Sequence, residues 1–240
     1  MRLYLISIVT FFITSSVFAQ KAQKVTLEST DDVEVDTNLA EWSQLTNVGG
    51  EGLWFYKLSK SEDAIHLAIR VLDPLLQQMA ARNGIVFSVV SQKKNKVDAQ
   101  LIFPFPDGEV KRAMRNEDVD PSRDNKKELI ERSRGYYVQG FLHVPNGLLA
   151  LQNSYGVHAK AKVLDDALTY EAHIPKRILE DKEKPLILKI GINDGFSFLP
   201  VAKNRPVPAR SNYGYGYTRP VATKSKTKQT LVVLLETTIH

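Results

Sequence analysis

The chain has 240 residues, with 32 Lys and Arg against 27 Asp and Glu, 43% hydrophobic residues and no cysteine. Ordinary charged, Gly and Pro contents exclude wholesale disorder and collagen-like repetition. The missing cysteines exclude disulfide scaffolds, thiolate zinc sites and cysteine nucleophiles.

Residues 1–19 carry one basic side chain, Arg2, then an apolar stretch over 3–13, then Val17-Phe18-Ala19 before the polar Gln20. This is the layout of a secretory signal peptide cleaved after Ala19. The apolar run falls well short of the roughly 20 residues a spanning helix needs, so no transmembrane anchor is expected. The expected location is secreted or periplasmic, with residues 20–30 as a flexible leader and 31–240 as one β-sandwich domain.

From there the pattern is period-two alternation. In 64–72, Ile65, Leu67, Ile69 and Val71 point one way and His66 and Arg70 the other, as in a half-buried strand. Further strands are expected at 33–36, 53–58, 84–91, 97–103, 136–144, 155–164, 167–174, 186–193 and 230–238. Short helices are expected at 75–82 and 126–133, the second with Asp124 near its N-cap. About ten strands with one or two short helices in loops predict an all-β antiparallel sandwich.

One hairpin can be set in register. A turn at Asp165-Asp166 pairs Lys160 with Glu171, Ala159 with Ala172, Ala161 with Tyr170 and His158 with His173. A one-residue slip would drive lysines into the core.

The order of several short motifs carries a resemblance. Val35–Trp42 reads VDTNLAEW; Leu67–Val71 leads to Asp73; then come Gly84-Ile85-Val86-Phe87, Phe103-Pro104, Tyr170–Pro175 (YEAHIP) and Ile190-Gly191-Ile192. Together they resemble the family 9 carbohydrate-binding module and, more broadly, the DOMON-like β-sandwiches. Thr37 stands where that family commonly carries Gly. The resemblance implies a β-sandwich, residence outside the cytoplasm and sugar binding, in some members haem binding. Trp42, after a turn, is expected to plug the end of the sandwich, with ligand stacking as the alternative.

The segment 200–229 lacks apolar periodicity and is rich in Pro, Gly, Tyr and basic residues, without an acid between Asp194 and Glu236. Loops of this length are usually functional or disordered. Tyr213, Tyr215 and Tyr217, spaced by glycines and followed by Arg219, could offer flat rings to a sugar, with Trp54, Phe55 and Tyr56 extending the platform. Alternating tyrosines could equally cover a sheet edge. The nearby cations suit an anionic partner or simply solvate the loop; nucleic acid is not expected for an exported chain.

Two metal readings are secondary. Asp118, Asp120, Ser122 and Asp124 alternate like calcium-loop donors, but Arg123 and Leu129 replace the Gly and bidentate Glu of an EF-hand. His158 and His173 face each other in the hairpin and could share a metal or form an exposed cross-strand pair. No nucleophile elbow, metalloprotease helix or phosphate-binding glycine loop is present. The expectation is a non-catalytic module binding carbohydrate without a cofactor. A protein-interaction or envelope-assembly component is the alternative, and a haem or metal carrier the next.

Overall fold

The computed structural model describes residues 22–30, 33–91, 98–106, 108–109, 125–179, 185–195 and 230–239. The elements in chain order are β1 (Gln23–Lys24), β2 (Glu28–Ser29), β3 (Thr46–Asn47), β4 (Trp54–Lys60), β5 (Ala64–Val71), α1 (Pro74–Asn83), β6 (Ile85–Val89), β7 (Ala99–Phe103), α2 (Lys126–Glu131), β8 (Gly135–Gln139), β9 (Gly147–Ala150), β10 (His158–Leu164), β11 (Ala167–Pro175), β12 (Leu186–Ile192) and β13 (Val232–Thr237). No helix among the described residues is long and apolar enough to cross a membrane.

Alternation along the strands produces two sheets that share one core. One sheet is seven-stranded, in the order β1-β13-β12-β6-β7-β8-β9. The other is six-stranded, in the order β10-β11-β5-β4-β2, with β3 also paired to β4. Ile65, Leu67, Ile69 and Val71 of β5 and Leu168, Tyr170, Ala172 and Ile174 of β11 meet Ile85, Phe87, Leu101, Leu188 and Ile190 of the facing sheet, all buried. The expected all-β sandwich is the observed fold.

Three expectations change. Residues 23–24 and 28–29, read as part of a flexible leader, pair in parallel with β13 and β4, tying both sheets to the start of the described chain. The strand expected over 136–144 ends at Gln139, where Gly140 turns with φ 71°, and the chain returns as β9. Residues 33–36 join no ladder; they enter a segment that crosses the outer face of the six-stranded sheet.

The β10–β11 hairpin has the register that alternation requires, from His158↔His173 to Leu164↔Ala167. Its two turn residues, Asp165 and Asp166, have φ of 46° and 60°, the left-handed pair of a type I′ turn. The Gln77 side chain of α1 donates to the Asp166 carbonyl at 2.6 Å and accepts from Lys126 Nζ at 2.8 Å, fixing this turn to the helices. Because a left-handed aspartate is strained and glycine is not, Asp166→Gly is expected to stabilise the fold by up to about 1 kcal/mol. The check is a higher denaturation midpoint at unchanged m value; a lower midpoint would contradict the turn assignment.

Candidate functional site

The outward-facing residues of the six-stranded sheet form transverse rows. The cross-strand pairs Phe55↔Arg70, Arg70↔Thr169 and Thr169↔Lys162 place an aromatic ring, a guanidinium, a hydroxyl and an ammonium in one line across β4, β5, β11 and β10. The next row is Lys57, Ala68, Glu171 and Lys160, and the third is Ser59, His66, His173 and His158.

The segment 36–45 crosses above these rows and is pinned by Glu171. The Trp42 indole Nε1–H donates to Glu171 Oε1 at 2.6 Å. The Thr37 and Asp36 amides donate to Oε2 at 2.5 and 2.9 Å. Covered in this way, the Glu171 carboxyl titrates above its ordinary range; burial is the main cause, the three donors oppose it, and the negative charge of Asp36 adds to it. Thr37 holds φ 77°, a left-handed conformation that a glycine would adopt without strain. Asp36 Oδ1 accepts from the Asn38 amide at 2.6 Å, and Asn38 Oδ1 accepts from the Ala40 amide at 3.2 Å, so the chain closes into a short 3-10 turn over residues 39–41.

Trp42 is half-buried and stands over the sheet face, at a different place from the expected end plug. It straps the loop to the sheet face and is not a plug at the end of the sandwich. Lys160 pairs with Glu171 in the ladder, yet both carboxylate oxygens are taken by the strap.

Between strap and sheet lies a cleft of about 780 Å³. The row Phe55, Arg70, Thr169 and Lys162 lies along it, with the strap from Asp36 to Leu45 on one side and Leu72, Leu164, Asp165 and Ala167 at the end. Phe55 is half-buried, and Arg70 and Lys162 are exposed. Thr169 is buried, and its Oγ1 donates to the Lys162 carbonyl at 3.2 Å. Among the described residues, neither the Arg70 guanidinium nor the Lys162 ammonium meets a hydrogen-bond acceptor or a carboxylate. A planar ring beside such donors can take a ligand that has both an apolar face and polar substituents.

Of the residues expected at the site, Trp54 and Tyr56 are corrected. They are 1% and 6% exposed in the shared core, and Trp54 Nε1 donates to the Thr230 carbonyl at 2.8 Å. Parity explains this: Trp54 and Tyr56 point inward in β4, and Phe55 between them is the ring that faces out. Tyr213, Tyr215, Tyr217 and Arg219, and the aspartates Asp118, Asp120 and Asp124, lie outside the described residues, as does the expected signal peptide at 1–19.

His158 and His173 are opposed as the register requires, with ring centroids 6.1 Å apart, and His66 continues the row at 5.0 Å from His173. His66 Nε2 lies 3.1 Å from Ser61 Oγ. Among the described residues no group of three or more His, Asp or Glu side chains is disposed to hold a metal ion. A second cavity of about 680 Å³ lies beside this row, between Val33, Val35, Phe103, Tyr136 and Leu151.

Sequence reasoning missed Arg70, Thr169 and Lys162 as partners. The signal was present: alternation turns Arg70 outward, and the hairpin register pairs Lys162 with Thr169.

Comparison with known proteins finds no matching family model and no similar curated protein. Among solved structures the chain is similar to a carbohydrate binding module of family 9 from Caldicellulosiruptor kristjanssonii, in complex with glucose, at 11% identity. That match covers 72% of this chain and 80% of the other, with a TM-score of 0.36.

Proposed function

We propose that the protein is an exported, non-catalytic module that binds a carbohydrate in the cleft between the 36–45 strap and the six-stranded sheet. The observation that carries this reading is the single row Phe55, Arg70, Thr169 and Lys162 along that cleft. It supplies a stacking surface and, among the described residues, donors without an acceptor, all on rigid strands. Sites built on strands hold their geometry better than sites on loops, so little ordering cost opposes binding.

Calorimetry against a panel of plant, algal and bacterial oligosaccharides tests it. At least one is expected to bind, and Phe55→Ala is expected to weaken that binding about tenfold with the melting temperature little changed. Absence of binding to every member of the panel would reject the reading, as would binding indifferent to Phe55.

A further inference from the structure

We infer that the sugar held in this cleft carries an oxyanion, a carboxylate or a sulfate ester, seated between Arg70 and Lys162; this rests on the carbohydrate reading above. Arg70 and Lys162 stand on strands two apart, so their Cα atoms are about 10 Å from each other across β11. Both long side chains can converge over the small Thr169 between them. Thr169 spends its proton on the Lys162 carbonyl, which leaves the two cations as the donors at the centre of the row.

The charge around them is not balanced within the described chain. Lys160, two residues from Lys162 on the same exposed face, adds a third cation. The neighbouring carboxylate of Glu171 is turned to the strap and engaged by three N–H groups. On the opposite side, Lys57 is committed to Glu28 at 2.8 Å. Two acids line the cleft. Asp36 has one oxygen on the Asn38 amide, and Asp165 sits in the turn at the far end; neither comes within 4 Å ion-pair reach of Arg70 or Lys162.

A guanidinium presents a planar fork that matches carboxylate and sulfate oxygens, and an ammonium supplies a second point charge. A neutral sugar would leave both charges without a counterpart; an acidic one would meet them while its ring lies on Phe55.

The test compares three ligands of one ring configuration: a neutral galactan oligosaccharide, an oligogalacturonate and a sulfated galactan oligosaccharide. Binding is measured at low and high salt to the full chain and to Phe55→Ala, Arg70→Ala and Lys162→Ala. At least one acidic ligand is expected to bind about tenfold or more tightly than the neutral one at low salt, and whichever does so identifies the substituent. High salt and each cation variant should shrink that advantage, while Phe55→Ala weakens acidic and neutral ligands alike. The salt series on the unaltered protein gives the answer even if a variant folds poorly. Equal affinity for all three, insensitive to salt, would overturn this inference and leave the carbohydrate reading intact. No binding by any of the three or by the wider panel would overturn both.

Discussion

Gly84→Ala is expected to destabilise the protein by about 3 to 5 kcal/mol, a large share of the stability of an ordinary domain. Gly84 links α1 to β6 with φ 91° and ψ 166°, a region that only glycine occupies without strain. Space is closed as well. A Cβ there would stand 2.5 Å from Ile102 Cγ2 and 2.6 Å from the Pro104 carbonyl oxygen. The backbone cannot easily retreat, because the Gly84 amide donates to the Ala80 carbonyl at 2.8 Å and its own carbonyl accepts from the Asn193 amide at 2.9 Å. Denaturant unfolding followed by circular dichroism checks this; a loss under about 1 kcal/mol would show that the helix–strand junction is not as constrained as described.

The second large effect centres on Glu171. Glu171→Ala leaves the Trp42 indole and two backbone amides without their acceptor and is expected to cost about 2 to 4 kcal/mol. The strap should loosen, so the affinity proposed for carbohydrate should fall together with stability. Glu171→Gln can keep its oxygen on the Thr37 and Asp36 amides but must turn an NH₂ toward the Trp42 N–H, so it should cost less than alanine and more than nothing.

The two variants also separate the effect of charge. Burial raises the Glu171 pKa in the folded state, so the folded protein holds this proton more tightly than the unfolded chain. The stabilisation is present below the ordinary carboxylate range and is lost as pH rises through the raised value. Unfolding free energy of the native protein relative to Glu171→Gln should therefore decline as pH rises through that window and then level off. An advantage that grows with pH there would contradict a raised pKa.

How much of this was legible depends on whether the information is local. The β10–β11 register follows from alternation together with the Asp165-Asp166 turn, because a one-residue slip would bury Lys160 and Lys162. The core strands β4, β5 and β11 follow from the same period. The strap does not: Trp42 and Glu171 are 129 residues apart in sequence, and nothing in a cross-strand Lys160–Glu171 pair hints that the carboxylate is already engaged from above. Val33 and Val35 alternate like a strand but contribute to no ladder. The short strands β1 and β2 carry no period at all, since two residues cannot display one. In Trp54-Phe55-Tyr56, composition marks three aromatic rings and only strand parity decides which one faces out. Arg70 gains its row only through the β5–β11 and β11–β10 pairings, which set Thr169 next to it and Lys162 one strand further.

Protein NMR during titration with the tightest-binding oligosaccharide tests the central claim most directly. Saturable shifts and intermolecular contacts are expected at the Phe55 ring, the Arg70 side chain, Thr169 and Lys162, with weaker changes along 36–45. Shifts confined to other surfaces, with the Phe55 and Arg70 signals unmoved at saturation, would contradict it.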